Sequence, residues 1–73
     1  MKKRITQKDM VIQYIKDFGE ITPLDAFRDL GVMRLSAIIY KLRWKDLLSI
    51  KTEYRTEKNR YGTSVTFAVY SFE

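Results

Sequence analysis

The 73-residue sequence contains no cysteine and no histidine, and only one proline and three glycines. The missing Cys excludes disulfides and thiol chemistry, and the combined absence of Cys and His excludes the common zinc sites. Three isolated glycines do not make a phosphate-binding loop. No apolar run is long enough to span a bilayer, and none follows the basic residues 2–4, so we expect no membrane anchor and no signal peptide. These absences favour a cytoplasmic protein that uses no cofactor and contacts no membrane.

A chain of this length predicts one domain, residues 1–73, which buries only about 60% of the surface of its unfolded chain. The hydrophobic fraction of 45% is enough for a single core, but no room remains for a deep substrate cleft. Acid–base catalysis would depend on scattered Asp, Glu or Lys side chains. We therefore expect neither an enzyme nor a binder of small-molecule substrates.

The net charge of +5 is unevenly distributed along the chain. Residues 1–33 hold six Lys and Arg against five acids, residues 34–60 hold eight against three, and residues 61–73 add only Glu73. A basic face is common on any protein surface. Here, however, the excess coincides with one predicted helix and the segment after it, which favours a polyanionic partner.

Two Thr-x-x-Asp words predict the starts of the first two helices. Thr6 precedes a helix over residues 7–18, and Thr22 precedes a helix that ends at Gly31. The connection between them, residues 20–21, reads as extended chain and as a minimal strand. Apolar and aromatic side chains at helical or strand spacing are assigned to the core: Val11, Tyr14, Ile15, Phe18, Leu24, Phe27, Leu30, Tyr40, Phe67, Tyr70 and Phe72.

Only Gly31-Val32 separates the second helix from a basic third helix over Met33–Arg43. Two helices this close must cross steeply, which is the geometry of a helix-turn-helix with its second helix presented outward. Two buried stripes fit the third helix: Leu35, Ile39 and Leu42, which we prefer, or Leu35, Ile38 and Leu42. The preferred stripe directs four residues outward: Arg34, Ala37, Ile38 and Lys41.

The chain changes character after residue 49. Residues 50–56 alternate in the period of a strand, residues 57–62 form a polar loop with Asn and Gly, and residues 63–72 are β-branched and aromatic. Residues 44–48 either extend the third helix or form a loop. The predicted fold is an α+β winged helix-turn-helix of three helices and a C-terminal antiparallel β-hairpin wing.

This fold predicts double-stranded DNA as the partner, with the third helix in the major groove. Arg34 is placed to reach a guanine, unless Asp25 or Asp29 pairs with it. Ser36, Ala37 and Ile38 are the other candidates on the helix for base or phosphate contacts, Ile38 through a thymine methyl. Lys41 and Arg43 are better suited to phosphates.

The loop of the hairpin supplies a second set of candidate contacts: Lys58, Asn59, Arg60 and Tyr61. Basic side chains at a wing tip can enter the minor groove, whose negative potential attracts Arg. Asn59 also suits a turn, and Tyr61 can pack its ring back on the hairpin. Lys2, Lys3, Arg4 and Lys8 are further candidates for backbone contacts.

Several words of this sequence resemble a group of small winged helix-turn-helix proteins of phages and prophages of Gram-positive bacteria. The matching segments are residues 13–16, Gly19-Glu20-Ile21-Thr22-Pro23-Leu24-Asp25-Ala26, Leu30-Gly31-Val32, Arg34-Leu35-Ser36-Ala37, residues 50–53 and Asn59-Arg60-Tyr61-Gly62. The resemblance implies a DNA-binding domain. Transcription regulation is then the most natural use.

A second hypothesis assigns the domain to protein binding. Four apolar residues would form the contact surface for a host protein: Ile38, Trp44, Leu47 and Leu48. The same surface is a candidate homodimer interface, and a twofold pair would suit a palindromic DNA site.

Overall fold

The computed structural model describes residues 5–73, which form three helices followed by two strands. The helices are α1 (Gln7–Phe18), α2 (Pro23–Leu30) and α3 (Leu35–Trp44), and the strands are β1 (Ile50–Lys58) and β2 (Ser64–Phe72). The two strands pair antiparallel. The predicted architecture of three helices and a C-terminal hairpin is confirmed. None of the helices within these residues is long and apolar enough to cross a bilayer.

Both predicted capping boxes are present. The N–H of Asp9 donates to Thr6 Oγ1 at 3.2 Å and the N–H of Asp25 donates to Thr22 Oγ1 at 3.1 Å, while each carboxylate accepts from the backbone N–H of its Thr. These bonds satisfy N–H groups that have no partner inside the helix. Gly31 ends α2 with φ at 69°, a left-handed conformation that favours glycine.

The third helix begins two residues later than the sequence predicts. Val32 is buried, and its N–H donates to the carbonyl of Ala26 at 2.9 Å. The turn therefore passes through the core before the helix starts. Met33 and Arg34 lie in the turn, and Arg34 occupies the N-cap position without a side-chain capping bond.

A loop follows Trp44, which settles the alternative left open for residues 44–48. Leu47 has φ at 54° and is the one non-glycine residue with positive φ within residues 5–73. The N–H of Leu48 then donates to the carbonyl of Leu42 at 3.0 Å. Leu47 thus takes the left-handed position that usually favours glycine at a helix exit.

The core lies between the three helices and the base of the hairpin. Its buried residues are Val11, Ile15, Ile21, Ala26, Val32, Leu35, Ile38, Ile39, Leu42, Ile50 and Tyr70. Ile21 pairs with Tyr70 through two backbone hydrogen bonds of 2.8 and 2.9 Å, so the predicted extended connection forms an isolated β-bridge rather than a strand. The hairpin beyond Thr52 on β1 and before Phe67 on β2 is exposed. The distal half of the hairpin therefore projects away from the core.

Several predicted burials are wrong. Ile38 was expected to face outward, but only 7% of its surface is exposed, and α3 buries Leu35, Ile38, Ile39 and Leu42 together. A helix packed against several elements buries a wider stripe than one packed on a single neighbour. Four residues assigned to the core are instead exposed: Phe18, Leu24, Phe27 and Tyr40. The eight-residue α2 packs through Ala26, with Leu30 half-buried, so Leu24 and Phe27 remain outside.

Candidate nucleic-acid interface

The outward face of α3 follows directly from its buried stripe. The exposed residues of this helix are Ser36, Ala37, Tyr40, Lys41 and Trp44. Ala37 and Lys41 were predicted to face outward and Ser36 was a candidate DNA contact, whereas Tyr40 had been assigned to the core. The rings of Tyr40 and Trp44 lie 6.1 Å apart at 51°. A four-residue buried stripe would have predicted this face, because Tyr40 lies one turn from Ser36 and Ala37.

Ile38 is removed from the candidate contacts by its burial. Its side chain belongs to the core cluster, so it cannot reach a thymine methyl. The proposed protein-binding surface loses two of its four residues, because Ile38 is buried and Leu48 packs against the core. Trp44 and Leu47 are the exposed members that remain.

Arg34 is exposed at the N-cap of α3 and makes no ion pair or side-chain hydrogen bond within residues 5–73. The two carboxylates considered as its partners, Asp25 and Asp29, are bound by Arg28. Arg28 Nε lies 3.0 Å from Asp29 Oδ1, and Arg28 Nη2 lies 3.0 Å from Asp25 Oδ1. The Tyr14 hydroxyl also donates to Asp29 Oδ2 at 2.7 Å. Arg34 is therefore left without a competing acid.

The Asp29 carboxylate is stabilised in its charged form by these contacts. Hydrogen bonding from Arg28 is the main cause that lowers the pKa of Asp29, and the bond from Tyr14 adds to it. The same arrangement raises the pKa of Arg28, mainly through its bond with Asp29. The pKa of Tyr14 is raised as well, because ionisation would end its donation to Asp29. This network joins α1 to α2.

Arg43 is bound to the hairpin rather than directed outward. Its Nε and Nη2 donate to the carbonyl of Ile50 at 3.0 and 2.8 Å, and Nη2 also donates to Thr52 Oγ1. The side chain is half-buried. We therefore assign Arg43 to the contact between α3 and the base of β1, which corrects its predicted role at a phosphate.

The wing tip is organised by Asn59. Its side-chain carbonyl accepts from the N–H groups of Tyr61 and Thr63 at 2.9 and 3.0 Å, which is the turn-forming role anticipated for this residue. Lys58 and Arg60 are exposed on either side of it. The Tyr61 side chain is 86% exposed, so its ring does not pack back on the hairpin.

The hairpin is fixed to the linker between α1 and α2. Arg55 Nη1 lies 2.9 Å from Glu20 Oε2, and Arg55 Nη2 lies 3.1 Å from Glu20 Oε1. Hydrogen bonding from Arg55 lowers the pKa of Glu20 and outweighs the opposing effect of desolvation. Together with the Ile21–Tyr70 pairing, this contact fixes the wing relative to the helices.

Ion pairing separates the basic side chains into two groups. Lys8, Arg28, Lys51 and Arg55 pair with Asp or Glu residues, and Arg43 is bound to the hairpin. The basic residues without an ion pair or side-chain hydrogen bond in the described part of the chain are Lys16, Arg34, Lys41, Lys45, Lys58 and Arg60. All except Lys16 lie on α3, at its two ends, or at the wing tip. The predicted contacts of Lys2, Lys3 and Arg4 lie outside the described residues.

Comparison with known families agrees with this geometry. Residues 6–73 match the model of a family described as a winged helix-turn-helix domain. The chain belongs to this family. In this winged helix-turn-helix domain, α2 and α3 form the helix-turn-helix, and the β1–β2 hairpin is the wing. Domains of this type are typically non-enzymatic DNA-binding modules.

No curated protein and no solved structure matches the chain. The family match therefore supports the fold and the general class of the domain. A homodimer and a host-protein partner remain predictions from the sequence.

Proposed function

We propose that this winged helix-turn-helix protein binds double-stranded DNA in the cytoplasm, with α3 in the major groove and residues 57–62 on the adjacent backbone or in the minor groove. The observation that carries the proposal is the placement of the unpaired basic side chains. Five of the six lie on α3, at its ends or at the wing tip. Phosphate groups can bind these five side chains without breaking an ion pair within residues 5–73.

The proposed roles follow from position. Arg34, at the start of α3, reaches a guanine edge, where a bidentate contact discriminates by about 1–3 kcal/mol. Ser36 contacts a base or a phosphate, and Lys41 contacts a phosphate. Lys58 and Arg60 bind the backbone or the minor groove beside it.

The biological role that we propose is regulation of transcription in a phage or prophage. The resemblance to small phage proteins supports this context. A reporter gene with the bound sequence placed in its promoter tests the regulatory step. We expect the parent protein to change expression and Arg34→Ala to lose most of that effect.

DNA binding is tested by fluorescence anisotropy on duplexes selected from a random library, over a salt series from about 50 to about 200 mM. We expect a steep log–log dependence on salt, because each phosphate contact contributes a slope of about 0.9. The pair Lys58→Ala/Arg60→Ala should reduce the slope by about 1.8 and weaken every sequence alike. Arg34→Ala should instead flatten the preference among sequences.

The matched control is Lys16→Ala/Lys51→Ala, which removes the same charge from α1 and from an ion pair on β1. Its slope should stay close to that of the parent. Equal slopes for the wing pair and the parent would remove the wing from the interface. Absence of any duplex binding by the folded parent would overturn the proposed function.

A further inference from the structure

The outward face of α3 has a restricted chemistry for a helix that reads bases. Its exposed residues are Ser36, Ala37, Tyr40, Lys41 and Trp44. The whole helix from Leu35 to Trp44 contains no Asn, Gln, Asp or Glu. The face therefore lacks the amide groups that recognise adenine and the carboxylates that accept from cytosine.

The remaining chemistry favours thymine. Thymine alone among the four bases of DNA presents a methyl group in the major groove, and apolar side chains recognise it by contact. Ala37 and Tyr40 provide a methyl group and an aromatic ring at the centre of the outward face. Ile38 had been the candidate for this contact, but it is buried, so the contact passes to its exposed neighbours.

The spacing of Ala37 and Tyr40 suits neighbouring base pairs. Three residues of helix rise by about 4.5 Å, close to the ~3.4 Å between successive bases. The short side chain of Ala37 allows the helix backbone to approach the groove floor. Trp44 packs beside Tyr40 with ring centroids 6.1 Å apart, which limits the positions available to the phenol ring before DNA binds.

We propose that α3 selects thymine through its 5-methyl group by contacts with Ala37 and Tyr40, beside the guanine assigned to Arg34. This inference rests on the proposed function, because it specifies which bases the major-groove helix prefers. It predicts a site in which one or two thymines lie within about three base pairs of the guanine.

The experiment replaces thymine by uracil one position at a time in the selected duplex. This change removes the methyl group and leaves the base-pairing groups intact. We expect one or two positions at which uracil weakens binding by about fourfold, the effect of losing one buried methyl contact. The other thymines should show ratios close to one.

Protein variants assign the contacts. In Tyr40→Ala and Ala37→Gly, the thymine-to-uracil ratio at one of these positions should fall to near one. Phe18→Ala is the matched control, because Phe18 is an exposed aromatic that contacts an aromatic neighbour one turn away on α1. It should keep the full ratio. Thermal melting of each variant establishes that it is folded, and the uracil series on the parent needs no variant.

The outcomes separate the two proposals. Tight duplex binding with no uracil penalty at any position would overturn thymine selection and leave DNA binding intact. A penalty that persists in both Tyr40→Ala and Ala37→Gly would overturn the assignment to these residues. Absence of duplex binding would overturn the proposed function, and the inference with it.

Discussion

Lys41 and Arg43 lie two positions apart on α3 and have different roles. Arg43 donates to the carbonyl of Ile50 and to the hydroxyl of Thr52, whereas Lys41 is exposed without a bonded partner within residues 5–73. A hydrogen bond from a charged group in a half-buried position contributes more to stability than a solvated charge does. Arg43 thus belongs to the scaffold, whereas Lys41 is available for the proposed DNA contact.

Substitution of Arg43 should mainly lower stability, whereas substitution of Lys41 should mainly weaken DNA binding. Arg43→Ala leaves the Ile50 carbonyl without its side-chain donors and should lower the free energy of unfolding by about 2 kcal/mol. Lys41→Ala should change it by less than about 0.5 kcal/mol and should weaken DNA binding, with a slope reduced by about 0.9. Urea denaturation and the anisotropy salt series measure the two quantities. Equal stability of Arg43→Ala and Lys41→Ala would contradict the scaffold assignment.

At the scale of elements, the wing is held to the helices by an ion pair and a backbone pairing. Glu20 in the α1–α2 linker binds Arg55 on β1 through two hydrogen bonds, and Ile21 pairs with Tyr70 on β2. Lys8 on α1 pairs with Asp46 in the loop after α3 at 3.2 Å. Each contact joins elements that are distant in sequence, so the orientation of the wing depends on the linker as well as on the hairpin itself.

The Glu20–Arg55 contact should make stability depend on acid pH. The pKa of Glu20 is lower in the folded protein than its ordinary value of 4.5, so the unfolded chain binds more protons between the two values. The stabilisation is therefore present above pH 4.5 and is lost as the pH falls through the folded pKa. Glu20→Gln should be less stable than the parent at pH 7 and should lose less stability on acidification.

Urea denaturation midpoints between about pH 3 and pH 7 test this prediction. Glu73→Gln is the matched control, because it removes the same charge from an acid that makes no ion pair within residues 5–73. It should retain the parental dependence on acid pH. An acid dependence in Glu20→Gln as steep as that of the parent would show that the Arg55 contact does not stabilise the fold.

At the scale of the molecule, the wing tip that is proposed to bind DNA is separated from the core. The core ends near Thr52 and Phe67, and the hairpin continues beyond it with exposed side chains on both strands. The longest dimension of the molecule is accordingly 49 Å against 25 and 20 Å for the others. The length of the wing is not required to cover the core, which is why we assign its tip to a partner.

Shortening the wing tests this separation. Asn-Gly in place of residues 58–64 leaves the paired Glu57 and Val65 joined by a two-residue turn that suits a hairpin. The melting temperature should change little, because the removed residues are exposed. DNA affinity should fall for all sequences, together with the salt slope. A large loss of melting temperature would contradict the separation, and unchanged affinity would exclude a role for the tip in binding.

Local signals predicted most of the fold. Thr6 and Thr22 began helices as expected, because a capping box depends on residues three positions apart. The hairpin turn was likewise predicted from two residues close in sequence, Asn59 and Gly62. The outward face of α3 was predicted only in part. Ser36, Ala37 and Lys41 are exposed, but Ile38 is buried and Tyr40 is exposed, the reverse of the prediction.

The sequence by itself determined where each element begins and ends, to within two residues, except for the end of α3, and that the excess positive charge falls after residue 33. Only the tertiary structure decided which side chains of α3 face outward and which cations lack partners. The width of a buried stripe depends on how many elements pack against the helix. The acids that neutralise Lys8 and Arg55 lie 38 and 35 positions away along the chain, a separation at which no local pattern indicates pairing.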